Sequence, residues 1–212
     1  MTTNKIPILP ETEANIKSIL AIPIAKNRIQ VLNELVDYVR KNISKNQEIR
    51  LVFICTHNSR RSQFAQVWAQ TAAAYFNIPI FCFSGGVEVT ACNERAITSL
   101  ERSGFKVDRN KREGENPAYN VFFSGDAEPV QLFSKIYDNP VNPQNNFAAI
   151  MTCSDADQNC PFVPGAEARI ALKYDDPKEF DDTPQEASKY DERSMQIAAE
   201  MFYVFSQINN RP

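Results

Sequence analysis

Apolar positions along this chain change their spacing several times, and each change marks an element. Between residues 11 and 45, Ile29, Leu32, Val36, Val39 and Ile43 recur at intervals of three and four, the stripe of an amphipathic helix. The period then breaks. Arg50-Leu51-Val52-Phe53-Ile54 is a short apolar run, as expected of a strand buried on both faces. It stops at Cys55. The polar run Thr56-His57-Asn58-Ser59-Arg60-Arg61 follows, and Ser62 is predicted to cap a helix carrying Phe64, Ala65, Val67, Trp68, Ala72 and Tyr75.

A second strand is predicted at Ile80 to Phe83, with Ser84-Gly85-Gly86 as a turn and a helix over Asn93 to Ser103. Residues 106–118 are polar and charged and read as a surface loop, while Val121 to Phe123 and Val130 to Tyr137 suit a hairpin. Phe147 to Thr152 is an apolar run ending at Cys153, and Ala168 to Tyr174 is a strand ending at Asp175-Asp176-Pro177. A last helix is predicted from about Glu186 to Gln207, with Met195, Ala198, Ala199, Phe202 and Phe205 facing inward. Strands alternating with helices predict an α/β fold: three layers around a doubly wound, four-stranded parallel sheet. In such sheets ligands collect beyond the carboxyl ends of the strands. The segments at Cys55, Cys153 and Asp176 each follow a strand, so parallel strands bring all three to one edge.

Composition narrows the class. The 212 residues are 43% hydrophobic and 23% charged, as in an ordinary globular domain, and the net charge of -3 supplies no overall basic field for nucleic acid. No apolar stretch approaches the roughly 20 residues that span a membrane, and the N-terminus lacks the apolar core of a secretory signal. A cytoplasmic protein is therefore expected, where structural disulfides are rare. That draws attention to five cysteines, an odd number.

Cys55 and Arg61 are separated by five residues in Cys55-Thr56-His57-Asn58-Ser59-Arg60-Arg61-Ser62. A loop of this length between strand and helix can turn its backbone N–H groups inward as an anion nest, which the helix N-terminus reinforces. Arg61 adds a planar fork that pairs with two oxygens of a tetrahedral oxyanion. The same positive field favours Cys55 as a thiolate nucleophile, and the Ser62 hydroxyl can bond its sulfur. Spacing alone fits a buried cysteine ahead of an arginine equally well; the strand before and the helix after favour the oxyanion loop, with Thr56, His57, Asn58, Ser59, Arg60, Arg61 and Ser62 around the anion.

A second cluster is Met151-Thr152-Cys153-Ser154-Asp155-Ala156-Asp157-Gln158-Asn159-Cys160-Pro161. Zinc suits it poorly, because there is no C-x-x-C pair and the chain's one histidine is His57; no metal or other cofactor is expected. Two readings stay open: a pair of buried thiols, or a redox pair. Ser154 to Asn159 reads as a short helix capped by Ser154, with acids in its first turn. Cysteines seven apart on a helix lie about 10 Å apart, beyond the roughly 7 Å a disulfide tolerates. Joining Cys153 to Cys160 thus requires the segment to unwind.

At Asp176, Pro177 favours an extended residue ahead of it and points the acid out of the strand end; a simple surface turn is the other reading. Asp181 and Asp182 read as loop charges, and Cys82 and Cys92 as small hydrophobes.

Strand, C-x5-R-S loop and helix resemble the low-molecular-weight protein tyrosine phosphatases and the thioredoxin-coupled arsenate reductases that share their fold. The resemblance covers about residues 49–105 and 147–208. Residues 1–48 then form an N-terminal helical extension to the domain at 49–212, and about 113–146 an insertion within it. Relatives usually carry glycine at His57, where a left-handed backbone would cost histidine energy, and often cysteine at Arg60. His57 either faces solvent or touches the ligand, and Arg60 reads as a solvated surface charge. The resemblance implies that Asp176 is the general acid, and that Cys153 and Cys160 shuttle a disulfide to thioredoxin. Three functions follow. The first is arsenate reduction through Cys55, Cys153 and Cys160. The second is phosphotyrosine hydrolysis through a phosphocysteine, with Tyr174 and Phe180 as candidate aromatic contacts. The third is a non-catalytic oxyanion or redox sensor.

Overall fold

The computed structural model describes residues 6–109 and 116–209. In chain order its elements are helices α1 (Pro10–Leu20) and α2 (Lys26–Ser44), strand β1 (Ile49–Cys55), helix α3 (Arg61–Tyr75), strand β2 (Ile80–Gly86), helix α4 (Glu94–Arg102), strands β3 (Lys106–Asp108), β4 (Tyr119–Phe122), β5 (Val130–Leu132) and β6 (Phe147–Met151), helix α5 (Ser154–Asn159), strand β7 (Ala166–Ile170) and helix α6 (Glu186–Asn209). Four strands form a parallel sheet in the order β2-β1-β6-β7, and three form a small antiparallel sheet in the order β3-β4-β5. The expected α/β fold with a four-stranded parallel sheet and flanking helices is the one observed.

Alternation along β1 divides the interior. Leu51 and Phe53 enter a large core with side chains of α1, α2, α3, α4 and α6, including Trp68, Phe202 and Phe205. Val52 and Ile54 point to the opposite face, into a smaller cluster with Met151, Cys153, Ala156, Cys160 and Val163. Successive strand side chains face opposite sides of a sheet, so a strand apolar at every position needs cover on both.

Residues 11–45 are not one helix. Ile22 and Pro23 fall between α1 and α2, and a residue ahead of proline is driven out of the helical region. Leu32, Val36 and Val39 are buried as the stripe predicts, but Ile43 is exposed and Asn42 takes the inward position, its Nδ2 donating to the Tyr38 carbonyl at 2.9 Å. Both helices pack on α6 in the common core: Ile16, Ile19, Leu35 and Val39 share it with Phe202 and Phe205.

Ser84-Gly85-Gly86 is not a turn. These residues continue β2 in register with Phe53, Ile54 and Cys55. The glycines are there for room: a Cβ on Gly85 would sit 2.4 Å from Tyr137 Cα, and one on Gly86 would sit 2.8 Å from the Asn58 amide nitrogen. The stretch 106–118 opens with β3, which pairs antiparallel with β4; residues 110–115 of that predicted loop lie outside the described residues. The expected hairpin forms from β4 and β5 but starts earlier, at Tyr119. The strand predicted to Tyr174 ends at Ile170, although Tyr174 N still donates to the Thr152 carbonyl at 3.1 Å.

Candidate active site

Parallel strands bring the three flagged segments to the carboxyl edge of the sheet. Cys55 ends β1, Cys153 follows β6 and Asp176 lies beyond β7. The loop from Cys55 closes onto α3, which starts at Arg61 with Arg60 in the capping position and no side-chain cap. Ser62 therefore does not cap the helix. It sits buried in the first turn, its Oγ 3.0 Å from Cys55 Sγ. The unpaired N–H groups of a helix's first turn favour negative charge, and that turn also sets the Ser62 hydroxyl against the sulfur.

Left-handed backbone falls on Asn58 (φ 48°) and not on His57, and asparagine tolerates that region better than most residues. Asn58 is fully buried. Its Nδ2 donates to Ser62 Oγ at 2.9 Å, and its Oδ1 accepts from the Lys135 amide at 3.1 Å. Ser134 Oγ donates to the His57 carbonyl at 2.8 Å, and Gln63 Nε2 to the Asn58 carbonyl at 2.8 Å. Residues 134 and 135 thus buttress the loop from outside, a role that only distant pairing reveals. The His57 ring is 41% exposed, with Nε2 3.3 Å from Glu88 Oε2; it faces solvent. Ser59 Oγ donates to the Ala91 carbonyl at 2.7 Å.

Arg61 reaches across the edge. Its Nη2 donates to Asp176 Oδ2 at 2.6 Å and its Nη1 to the Tyr174 carbonyl at 3.0 Å, while its buried Nε has no partner. Asp176 Oδ1 accepts from the Lys178 amide at 3.1 Å, opening a 3-10 turn at Pro177–Phe180. Arg60 is not a solvated surface charge. Its side chain is 11% exposed, its Nε donates to Tyr190 Oη at 2.8 Å, and its guanidinium lies 3.5 Å from Asp181. Tyr190 Oη in turn donates to Asp181 Oδ1 at 2.7 Å. Asp181 and Asp182 are not free loop charges either, because Arg95 pairs with both. This network ties the acid-bearing segment to α3 and α6. Tyr174 is buried, with the Arg28 guanidinium 4.9 Å from its ring centroid, so it offers no surface to an aromatic substrate. Phe180 is half-buried beneath Lys189.

Thr56 joins the first cluster to the second. Its Oγ1 donates to Asp155 Oδ2 at 2.8 Å and lies 3.4 Å from Cys153 Sγ. Cys153, not Ser154, caps α5, its sulfur accepting from the Ala156 amide at 3.3 Å. Cys55, Cys153 and Cys160 are all free thiols packed in the one small cluster. Burial pushes the Cys160 thiol up, with Arg169 opposing. Arg169 also fixes the end of α5, donating to the Cys160 carbonyl at 3.0 Å and the Asp157 carbonyl at 2.6 Å. Cys82 and Cys92 are buried in the large core. No group of three His, Cys, Asp or Glu placed to hold a metal occurs among the described residues, and none of their helices is long and apolar enough to cross a membrane.

The fold is that of the low-molecular-weight phosphotyrosine phosphatases. A phosphatase of that class from Vibrio cholerae superposes with a TM-score of 0.50 at 11% identity, over 75% of this chain and 95% of its own. No family model matches the chain. In sequence, the chain is 30% identical over 128 residues to the arsenate reductase of Staphylococcus aureus strain Newman, spanning 60% of this chain and 77% of that protein. It is 27% identical over 127 residues to arsenate reductase 2 of Staphylococcus epidermidis, with the same coverage. The chain therefore belongs to the arsenate reductase family within the low-molecular-weight phosphotyrosine phosphatase superfamily, a superfamily of enzymes.

Proposed function

We propose that the chain reduces arsenate through a relay of three thiols. An arsenate oxyanion displaces Asp176 from Arg61, whose Nη2 and orphan Nε form a fork for two of its oxygens. The Cys55 thiolate attacks arsenic, and Asp176 gives a proton to the departing oxygen, which leaves as water. The Cys153 thiolate then attacks Cys55 Sγ. The new S–S bond forms as the S–As bond breaks, its electron pair passes to arsenic, and arsenite leaves. Two thiols have been oxidised and arsenic has gained two electrons. Cys160 next attacks Cys153 Sγ, releasing the Cys55 thiolate and leaving a Cys153–Cys160 disulfide, which a dithiol protein of the thioredoxin type reduces. The reading places the protein in a reducing compartment, the cytoplasm.

The observation that carries this reading is the contact at 3.4 Å between Thr56 Oγ1 and Cys153 Sγ. It sets a second thiol against the residue that follows the nucleophile, and a hydrolase needs no second thiol there. The test is arsenite production with thioredoxin, its reductase and NADPH, run beside p-nitrophenyl phosphate hydrolysis on one preparation. Cys160→Ser should release one equivalent of arsenite per chain and then stop. Undiminished steady-state turnover in that variant removes the relay. Arsenate turnover absent from the parent, with phosphatase activity that survives Cys153→Ser, replaces reduction by hydrolysis of phosphate esters.

A further inference from the structure

A cavity of about 380 Å³ opens along the outer edge of β2, and no residue from 55 to 62 lines it. Its walls are apolar, formed by Phe81, Phe83, Phe123, Val130, Phe133 and Val141, and Phe81 and Val141 are 53% and 55% exposed there. Two polar groups on this wall have unused capacity, a cation without a counter-charge and an unpartnered amide oxygen. Lys135 is 96% buried by its 4% exposure, yet no carboxylate among the described residues forms an ion pair with it, and its ammonium rests 4.5 Å from the centroid of the Phe133 ring. Asn142 is equally buried, and its Oδ1 has no hydrogen-bond partner. Its Nδ2 donates to the Ser84 and Tyr137 carbonyls, each at 3.0 Å, so the amide cannot turn over to satisfy itself. Gln66 and Gln70, on the same wall, are engaged with strand β2.

We propose that this cavity is a second binding site, for a small organic acid with an aromatic or branched aliphatic body, whose carboxylate pairs with Lys135. Burying an ammonium without a counter-charge is costly, and a protein that keeps one there gains by meeting an anion. Burial pushes Lys135 down to about 8. The neighbouring Cys92 thiol is pushed up to about 12 by its own burial, so at neutral pH it is uncharged and supplies no counter-ion. Glu128 lines the exposed rim without pairing with Lys135. A single ammonium suits a monoanion. A phosphate would call for forked donors or a nest of amides, which this cavity lacks among its described lining residues. The aromatic walls take the ligand's body, and Asn142 Oδ1 offers a place for a hydroxyl or amine proton. A pocket of this size and lining, with few convergent polar groups, is of the kind that holds small molecules. The proposal does not depend on arsenate reduction.

The test titrates 3-phenylpropionate and its uncharged analogue 3-phenylpropionamide onto the full chain, with inorganic phosphate present to fill the oxyanion loop. The acid should bind saturably with Kd of about 1 mM or tighter, and the amide at least about tenfold more weakly. Lys135→Met should weaken the acid about tenfold and leave the amide unchanged. Ala127→Trp, which narrows the cavity without touching the cation, should weaken both. Equal affinity for acid and amide, insensitivity of the acid to Lys135→Met, or no saturation by about 5 mM each overturns the proposal. So does a dimer in sedimentation that Phe81→Asp dissociates, since the face would then be a contact between copies of this chain.

Discussion

Arg61 and Asp176, the proposed oxyanion fork and the proposed acid, hold each other at 2.6 Å. Each must let go for the proposed reaction to begin, because the fork has to accept substrate oxygens and the carboxyl has to reach a departing one. Asp176→Asn should therefore have two opposite effects. It should lower kcat by about 10²–10⁴-fold, the usual worth of a general acid, and it should tighten inorganic phosphate, because the competing charge on Arg61 is gone. Arg61→Lys loses the fork and should lower kcat/KM by about 10²–10³-fold. Steady-state kinetics and phosphate titration by calorimetry check both. Weaker phosphate binding in Asp176→Asn would mean that the carboxylate does not compete with substrate.

Thr56 is held by Asp155 and touches Cys153, so it couples the nucleophile loop to the start of α5. Thr56→Val keeps the shape and removes the hydroxyl. Losing one hydrogen bond of about 1 kcal/mol should slow single-turnover arsenite release by roughly five- to tenfold, with a smaller change in p-nitrophenyl phosphate hydrolysis, which needs no second thiol. Rapid-quench measurement of arsenite distinguishes the two. Equal losses in both assays would make Thr56 a part of the anion site alone.

The loop from Cys55 to Arg61 was legible because everything that forms it is local: an apolar run, a polar turn and a helix within about 25 residues. Convergence of Cys153 and Asp176 on it followed from parallel strands alone. What supports the loop was not legible. The strain falls on Asn58 instead of His57, and it is held by the Lys135 amide across 77 residues of sequence. Arg60 looked solvated because its partners Tyr190 and Asp181 lie more than 120 residues away. Gly85 and Gly86 read as a turn because glycine marks turns more often than it marks crowding, and Tyr137 and Thr56 supply that crowding here. Capping failed twice, in two ways. At Arg60 no side chain caps the helix, and at Cys153 a sulfur takes the place of a hydroxyl.

Lys135 also carries a pH signature. Its folded value, pushed down from 10.5 to about 8 by burial, means that between those values the unfolded chain holds a proton the folded chain has lost. Stability from this group therefore rises with pH across that window and is absent below about 8. Lys135→Met removes the effect. The variant should be more stable than the parent at pH 7, by up to about 3 kcal/mol, and the gap should close as pH approaches 10. Cys92, pushed up to about 12 by burial with Lys135 opposing, contributes the opposite slope above its ordinary value of 9.0, and it does so in both proteins. Urea unfolding of both proteins at several pH values reads the gap, and a gap that stays constant across that range would show that Lys135 keeps its proton.

Arg28 joins the N-terminal helices to the rest of the molecule. Its Nε and Nη2 donate to the two carboxylate oxygens of Glu200 on α6, each at 2.8 Å, and its Nη1 donates to the Lys173 carbonyl at 2.9 Å. The Glu200 side chain is only 4% exposed. Removing the arginine leaves a carboxylate buried beside the apolar core, and breaking one partner of a buried pair costs about 3–5 kcal/mol. Arg28→Ala should lower the urea midpoint accordingly at an unchanged slope. Arg28→Met combined with Glu200→Leu removes both charges and should recover most of that loss, because desolvation of the pair offsets much of its attraction. Both variants should unfold in a single transition, since α1 and α2 share one core with α6. Two separate transitions in either variant, or an Arg28→Ala loss below about 1 kcal/mol, would mean that the N-terminal helices are held as a separate unit and that this ion pair behaves as a solvated one.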